Sequence, residues 1–334
     1  MSLLAEPLER REFDTHQLAL EHPPVWRHAN KRLVYDMISP PGSEHNGHIT
    51  YSRWPPMELP ENVDIGSAVE NVIERNGFYD YAPIPTVGGI EWHVNFAAAE
   101  LFVAYSSRLL AQDELQVLEH PALGSVREAI TALGGYALTV DRAEPTPILL
   151  AGVERRCKLA TESNADQGRP DGLYGNEFAR ASDDVIRRAI QRLEPPTSSN
   201  IIAMEAPTGG TGAYTSSTIR YILTTAYSGF RAAVRESRRL SGRDSVVVVH
   251  TGFWGCGAYG GNRTLMSALQ MVASGLAGLD RLVFHTGESS GSGFLHDGQV
   301  LCKTKLDVAQ PVSTSDVVSV LASLAFEWGM SNGT

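Results

Sequence analysis

Cysteine is scarce in this sequence, and long apolar runs are absent. Three cysteines occur in 334 residues, and Cys157, Cys256 and Cys302 lie far apart. So few cysteines at such distances exclude a disulfide framework and a cysteine-based zinc site. No apolar run approaches the ~18 residues that span a bilayer, and the first residues, MSLLAEPLERREF, lack the apolar core of a secretory signal. We therefore expect a reducing, cytoplasmic setting and no membrane association.

Positive charge is also scarce. The formal net charge is −10, with 43% hydrophobic and 20% charged residues. These proportions are typical of a globular protein, and the negative balance argues against non-specific binding of nucleic acid. The histidines near the start, His16, His22, His28 and His45, follow no metal-ligand spacing. We expect no metal site, and nothing in the sequence indicates an oligomeric state.

The sequence does contain a glycine-rich stretch, residues 245–262, which reads SVVVVHTGFWGCGAYGGN. Its valines are typical of a strand buried on both faces, and Asn262 is a good N-cap for the apolar helical pattern that follows. Glycines let backbone N–H groups approach a phosphate, and a helix N-terminus adds partial positive charge. The stretch predicts an anion-binding loop; the alternative is a glycine-rich connection packed by its aromatic residues.

This loop does not cleanly match either of two common nucleotide motifs. It lacks the GxxxxGK[ST] pattern, and it lacks a clean G-x-G-x-x-G pattern followed by an acidic residue at dinucleotide spacing. An α/β protein that binds some other phosphate compound stays open as an alternative.

Strand and helix patterns alternate along the second half of the chain, which predicts an α/β layered fold. We interpret residues 1–60, which lack a sustained period, as an N-terminal accessory arm packed on a single domain of residues 61–334. The predicted strands are 89–96, 136–141, 147–152, 200–206, 245–249 and 281–284. The predicted helices are 8–18, 67–75, 182–193, 216–236, 262–279 and 315–327, with a long loop at 157–178.

A compact polar group, Gln112, Asp113 and Glu114, lies in an apolar neighbourhood and opens a helical pattern through Leu115 and Leu118. Burial and a like-charged neighbour both raise a carboxyl pKa toward the range useful for general acid catalysis. The pair is therefore a candidate acid site. The alternative is that two acidic residues in a first helical turn complement the helix dipole.

These motifs together resemble the poly(ADP-ribose) glycohydrolase family. The stretch HTGFWGCGAYGGN is similar to the family's TGNWGCGAFGGD loop, and Gln112-Asp113-Glu114 falls at the spacing of its QEE signature. Three further blocks follow the family's order: VNFA at 94–97 is similar to VDFAN, IIAMEA at 201–206 to IVAIDA, and AYSGF at 226–230 to AYCGF. The order and spacing of the five blocks carry the resemblance.

The resemblance implies a macrodomain-like fold, a mixed sheet between helix layers, that binds ADP-ribose or an ADP-ribosylated substrate without a metal or cofactor. Glu114 would protonate the leaving oxygen of a ribose glycosidic bond and then activate water, and Asp113 would hold a ribose hydroxyl. The loop at 252–261 would bind the diphosphate. The implied substrate-binding residues are Gln112, Asn95, Thr251, Gly252, Phe253, Trp254, Gly255, Cys256, Gly257, Ala258 and Tyr259.

The sequence departs from the family near the acid site. The family has three consecutive glycines seven residues before QEE, where this chain has Phe102, Val103 and Ala104, and Asp113 replaces a glutamate. The family's tyrosine-bearing adenine segment has no match in residues 151–171. We therefore expect a rearranged loop or a different substrate. Two functions follow: an ADP-ribosyl glycohydrolase or, as the alternative, a catalytically silent module that only binds ADP-ribose.

Overall fold

The structure, a computed structural model, describes residues 6–85, 89–135, 137–242, 245–307 and 312–333. The strands are β1 Glu9–Asp14, β2 His48–Arg53, β3 Asn62–Val63, β4 Val72–Arg75, β5 Ile90–Ala97, β6 Val140–Asp141, β7 Glu144–Pro145, β8 Ile148–Leu159, β9 Ile190–Glu205, β10 Val247–Thr251, β11 Arg281–His285 and β12 Val312–Ser313. The helices are α1 Thr15–Glu21, α2 Ala29–Ile38, α3 Ile65–Glu70, α4 Gln112–Glu119, α5 Ala122–Ala132, α6 Glu177–Arg180, α7 Asp183–Ala189, α8 Ser216–Ser241, α9 Arg263–Ala277, α10 Gly291–Leu301 and α11 Thr314–Ser323.

Eight of these strands form one mixed sheet in the order β1-β2-β8-β9-β5-β10-β11-β4. From β9 to β4 the neighbours are parallel, whereas β1, β2, β8 and β9 pair antiparallel. The carboxyl ends of β9, β5 and β10 therefore meet at one edge of the sheet. In open α/β sheets ligands bind at that edge.

The valine run forms the central strand β10, in which all five residues are buried. β10 pairs with β5 on one side and β11 on the other, so β-branched side chains fill both faces. The helix predicted after it is α9, and the side chain of Asn262 caps this helix by accepting the N–H of Leu265.

Helices cover both faces of the sheet. α3, α8, α9, α10 and α11 pack on the face that presents Trp92, Val94 and Phe284. α1, α2, α4, α5 and α7 pack on the face that presents Ile201 and Ala203. This mixed sheet between helix layers confirms the predicted α/β, macrodomain-like class. Among the helices of the described ranges, none is both long and apolar enough to cross a bilayer.

The first sixty residues contribute two strands to the main sheet. The helix predicted at 8–18 is wrong in its first half, because Glu9–Asp14 is β1 and the helix begins at Thr15. β2 pairs with β8, so these residues extend the sheet instead of crossing its surface. Residues 1–5 lie outside the described residues, and the domain boundary at residue 60 stays a prediction.

Two predicted helices end earlier than their apolar patterns. α3 ends at Glu70, and Val72–Arg75 is β4, which pairs with β11. α7 ends at Ala189, and the next residues begin β9. β8 occupies the start of the loop predicted at 157–178. The strand predicted at 136–141 is reduced to β6, and its first residue lies outside the described residues.

Candidate active site

A cleft of about 280 Å³ opens at the carboxyl ends of β5 and β9, beside the loop that follows β10. The first turn of α4 lies on one wall, and the glycine-rich loop lies on another. The lining residues are Phe96, Ala97, Ala98, Val103, Ala104, Leu109, Ala111, Gln112, Asp113, Glu114, Tyr174, Ala206, Trp254, Gly255, Gly257, Ala258 and Tyr259. The structure therefore brings the two motifs that the sequence singled out into one cleft.

Gln112 fixes the start of α4 against the end of β5. Its side-chain carbonyl accepts the N–H of Phe96 at 2.7 Å, and its amide donates to the carbonyl of Val94 at 3.1 Å. Both ends of the amide are thus bonded to β5. Gln112 consequently sets the position of the two acids that follow it.

Asp113 and Glu114 lie in the first turn of α4 and are 6% and 3% exposed. Asp113 Oδ1 accepts from Asn95 Nδ2 at 3.1 Å, and Glu114 Oε2 accepts the N–H of Ala111 at 2.9 Å. Burial raises the pKa of both carboxyls, and the charge of Glu114 raises the pKa of Asp113 further. Because the two groups interact, they lose their protons as a pair. A proton held on this pair near neutral pH is what general acid catalysis requires.

The loop at 252–261 is held by a tryptophan and by its own backbone. Trp254 is fully buried, and its Nε1 donates to the carbonyl of Met204 in β9 at 3.0 Å. The N–H of Gly261 donates to the carbonyl of Gly255 at 2.9 Å. Gly255 has a φ of 74°, and a Cβ added there would lie 2.4 Å from the Cβ of Ala206. The loop therefore follows a path at Gly255 that a larger residue would disturb.

The predicted substrate-binding residues divide into two groups. Those on the cleft wall are Gln112, Trp254, Gly255, Gly257, Ala258 and Tyr259. Those that do not line the cleft are Asn95, Thr251, Gly252, Phe253 and Cys256. Asn95 is buried against Asp113, the Thr251 hydroxyl donates to Gln270, and Phe253 packs on Phe284. All of these substrate-contact roles stay predictions.

The segment that replaces the glycine triplet has its phenylalanine turned into the core. Phe102 is fully buried in the apolar cluster under α4 and α5, and its φ of 54° lies in the left-handed region that favours glycine. Val103 and Ala104 line the cleft instead. The replacement therefore changes the cleft wall without filling the cleft with an aromatic ring.

Sequence reasoning missed Tyr174, which lies in the loop predicted at 157–178. Tyr174 lines the cleft and stacks on Phe78, with ring centroids 6.4 Å apart and planes at 14°. The sequence signals it only as a single tyrosine in a loop that is mostly polar and contains glycines. This stacked pair adds an aromatic surface to the cleft.

Metal-ligating groups and thiols are two further kinds of reactive side chain among the described residues. Within the part of the chain that the structure describes, no three His, Cys, Asp or Glu side chains are grouped to hold a metal ion. Cys157, Cys256 and Cys302 are free thiols. Burial raises the pKa of each thiol, which disfavours the nucleophilic thiolate.

Comparison with known proteins agrees with the motifs. Residues 170–292 match the family model described as poly(ADP-ribose) glycohydrolase, macro domain fold. The matched segment contains the glycine-rich loop, while α4 precedes it. A comparison with curated proteins gives no match.

Solved structures of bacterial poly(ADP-ribose) glycohydrolases are similar to this chain. The Thermomonospora curvata protein bound to the inhibitor ADP-HPD is 14% identical with a TM-score of 0.45, over 81% of this chain and 98% of that chain. The Deinococcus radiodurans protein in complex with ADP-ribose is 13% identical with a TM-score of 0.35, over 73% and 90%. The family model confirms the resemblance carried by the sequence motifs: residues 170–292 are similar to the poly(ADP-ribose) glycohydrolase family of macro domain fold.

Proposed function

We propose that the chain hydrolyses a ribose glycosidic bond in ADP-ribose-linked substrates. The observation that carries this proposal is the setting of Glu114, a buried carboxyl with a raised pKa in a cleft bordered by the glycine-rich loop. The family match supports the substrate class. The three free thiols suit a reducing, cytoplasmic setting, which we keep as part of the proposal.

The reaction needs one carboxyl group that gives and then takes a proton. Glu114 donates its proton to the leaving oxygen as the bond from that oxygen to the ribose anomeric carbon breaks. The ribosyl group passes through an oxocarbenium-like transition state. Water then adds to the anomeric carbon and loses a proton to Glu114, which restores the acid. Asp113, held by Asn95, accepts a hydrogen bond from a ribose hydroxyl.

The glycine-rich loop supplies the binding site for the diphosphate. Gly255, Gly257 and Ala258 carry their backbone along the cleft wall, and α9 begins a few residues later at Arg263. Backbone N–H groups and the helix N-terminus favour an anion there. The acid pair then faces the sugar that is attached to the bound diphosphate.

The alternative function is a silent module that binds ADP-ribose without cleaving it. One observation favours it: Glu114 Oε2 accepts the N–H of Ala111 and so closes the first turn of α4. A glutamate at this position has a structural reason to be present even without catalysis. The two functions differ in turnover and not in binding.

The decisive experiment follows free ADP-ribose released from poly(ADP-ribose) and from a mono-ADP-ribosylated protein. We expect the wild-type protein to release ADP-ribose from one of these substrates. Glu114→Gln should lower the rate by about 10²- to 10⁴-fold, the usual contribution of a general acid. Glutamine retains an oxygen that can accept the Ala111 N–H, so the fold should survive.

Glu70→Gln, an exposed glutamate on α3, is the matched control and should keep the wild-type rate. Release that is insensitive to Glu114→Gln would contradict the proposed mechanism. Calorimetric binding of ADP-ribose with no release from either substrate would establish the silent module instead.

A further inference from the structure

Lys31 is a fully buried lysine close to the acid pair. It lies on α2, in the N-terminal part of the chain, and its Nζ donates to the carbonyl of Tyr105 at 2.7 Å. α2 packs against α4, the helix that carries Asp113 and Glu114. An ammonium group removed from water is costly unless an opposite charge compensates it. The carboxyls of α4 are the groups placed to do so.

The electrostatics of the three groups are reciprocal. Burial lowers the pKa of Lys31 to about 8, and Glu114 and Asp113 oppose that fall. Lys31 in turn opposes the burial-driven rise in the pKa of both carboxyls. Lys31, Asp113 and Glu114 together carry no net charge when the two carboxyls share one proton. One protonated carboxyl beside one carboxylate is also the state that the proposed hydrolysis needs.

Lys31 is also bonded to the segment that replaces the family's glycine triplet. Its partner Tyr105 follows Val103 and Ala104, which line the cleft. The same segment is held by the backbone N–H of His28, which donates to the carbonyl of Ser106 at 3.3 Å. The backbone N–H of Val25 donates to the Tyr105 hydroxyl at 2.7 Å. The N-terminal part of the chain thus supports this wall of the cleft.

We propose that Lys31 is a positioning residue of the site: its buried ammonium keeps one carboxyl of the Asp113–Glu114 pair ionised, and its bond to Tyr105 fixes the segment whose Val103 and Ala104 line the cleft. The effect of Lys31 on hydrolysis rests on the proposed function. The charge relation itself can be measured without any substrate.

Other ionisable groups act on the same three residues. They come from α5, from the start of α2 and from the cleft wall. The groups are Arg127, His28, Tyr174 and Tyr259. Arg127 stabilises the Asp113 carboxylate in the same sense as Lys31. A test must therefore change Lys31 alone and leave these groups in place.

The test is a ¹³C NMR titration of the aspartate and glutamate carboxyls in wild type, Lys31→Met and Lys31→Arg. Methionine fills similar space without charge, and arginine keeps the charge. With the ammonium gone, the acid pair should ionise about one to three pH units higher, as expected when a close opposite charge is removed. In Lys31→Arg the titration should stay near that of the wild type. Thermal unfolding of each variant verifies that it folds.

An unchanged carboxyl titration in folded Lys31→Met would overturn the proposal, as would an equal shift in Lys31→Arg. In the activity assay, the ionisation limb of the kcat profile against pH should move with the titration in Lys31→Met. A fall in kcat without such movement would indicate a structural role only and would also contradict the proposal. Absence of hydrolysis by the wild type would remove the proposed function, while the titration would still decide the role of Lys31.

Discussion

Gly255 shows how closely the loop and the end of β9 approach each other. Its φ is positive, and an added Cβ would meet the side chain of Ala206, which follows β9. Gly134 has a similar φ of 71°, but an added Cβ there has nothing within 4 Å. A comparison of alanine substitutions at the two positions therefore distinguishes the cost of the backbone conformation from the cost of a steric clash.

We predict that Gly255→Ala destabilises the protein more than Gly134→Ala. Both changes place alanine in the left-handed region, at a cost of about 1–2 kcal/mol. Gly255→Ala adds overpacking against Ala206, worth about 1–3 kcal/mol more. Urea unfolding of the two variants measures the difference. Equal losses of unfolding free energy would mean that the loop moves freely away from β9.

Residues of the site were predictable where chemistry is concentrated in the sequence. Gln112, Asp113 and Glu114 are adjacent, and the glycines of the loop lie within ten positions, so short windows reveal them. Lys31 and Tyr174 each stand alone among unrelated neighbours. Their meaning comes from contacts with distant segments, which a local pattern does not contain.

Among the helices and strands, α4 is fixed at both ends. Gln112 ties its start to β5, and near its end Glu119 pairs with Arg155 of β8 at 2.8 Å. The side chains of this ion pair are only 6% and 5% exposed, and Glu119 also accepts the N–H of Leu159. Burial raises the pKa of Glu119, and the charge of Arg155 opposes that rise. The ion pair thus holds the acid-bearing helix against the antiparallel part of the sheet.

Arg155→Met should lower the free energy of unfolding by about 3–5 kcal/mol, because it leaves the buried Glu119 carboxylate without its opposite charge. The double variant Arg155→Met/Glu119→Leu should recover much of this loss. Arg180→Met breaks an exposed ion pair with Glu177 and should change stability by less than about 1 kcal/mol. Chemical denaturation of the three proteins provides the comparison. A loss for Arg155→Met no larger than for Arg180→Met would show that the buried pair contributes little.

Elements were predictable where a long apolar period runs uninterrupted, as in α8 and α9. The apolar pattern gives the wrong element at Val72–Arg75 and at the start of β9. At both places the helical spacing of apolar residues continues past the end of the preceding helix. These residues become strands because β11 and β8 lie beside them. Such partners outweigh local propensity.

For the molecule as a whole, buried histidines set a lower limit on the pH at which the fold is stable. Burial lowers the pKa of His120 and His285 to about 3, and it lowers that of His93 well below the ordinary value. His93 stacks on His250 with ring centroids 4.3 Å apart. The folded state therefore keeps the rings of His93, His120 and His285 neutral, whereas the unfolded chain protonates these three below pH ~6.5.

Stability from a histidine with a lowered pKa is present above the unfolded pKa and is lost as pH falls toward the folded pKa. The difference in unfolding free energy between wild type and His120→Gln should shrink by about 1.4 kcal/mol per pH unit between pH 6 and 4. The comparison with the variant is needed because the raised pKa of the acid pair acts in the opposite sense. Urea unfolding at several pH values measures this difference.

Ser199→Ala is the control for this prediction, because it removes the partner of His120 Nε2 without removing the titrating ring. The difference in unfolding free energy between Ser199→Ala and the double variant Ser199→Ala/His120→Gln should depend on pH with the same slope as the difference between wild type and His120→Gln. A flat difference in either background would mean that His120 is accessible to protons in the folded state.

The α/β class was predictable because strand and helix patterns alternate after residue 190, whereas the two N-terminal strands were not. β2 pairs with β8, about one hundred residues later in the chain. β2 contains a histidine and an arginine and is flanked by prolines, so its sequence does not have the pattern of a buried strand. The extent of the sheet is therefore a property of the whole chain.

The same topology has a consequence for synthesis on the ribosome. Residues 9–53 are translated before β8, yet β2 can pair with β8 only after the residues up to Leu159 have been made. Lys31 likewise meets the carboxyls of α4 only after Asp113 and Glu114 have been made. These residues therefore reach their final place later than their position in the chain suggests, and in the interval they are accessible to chaperones.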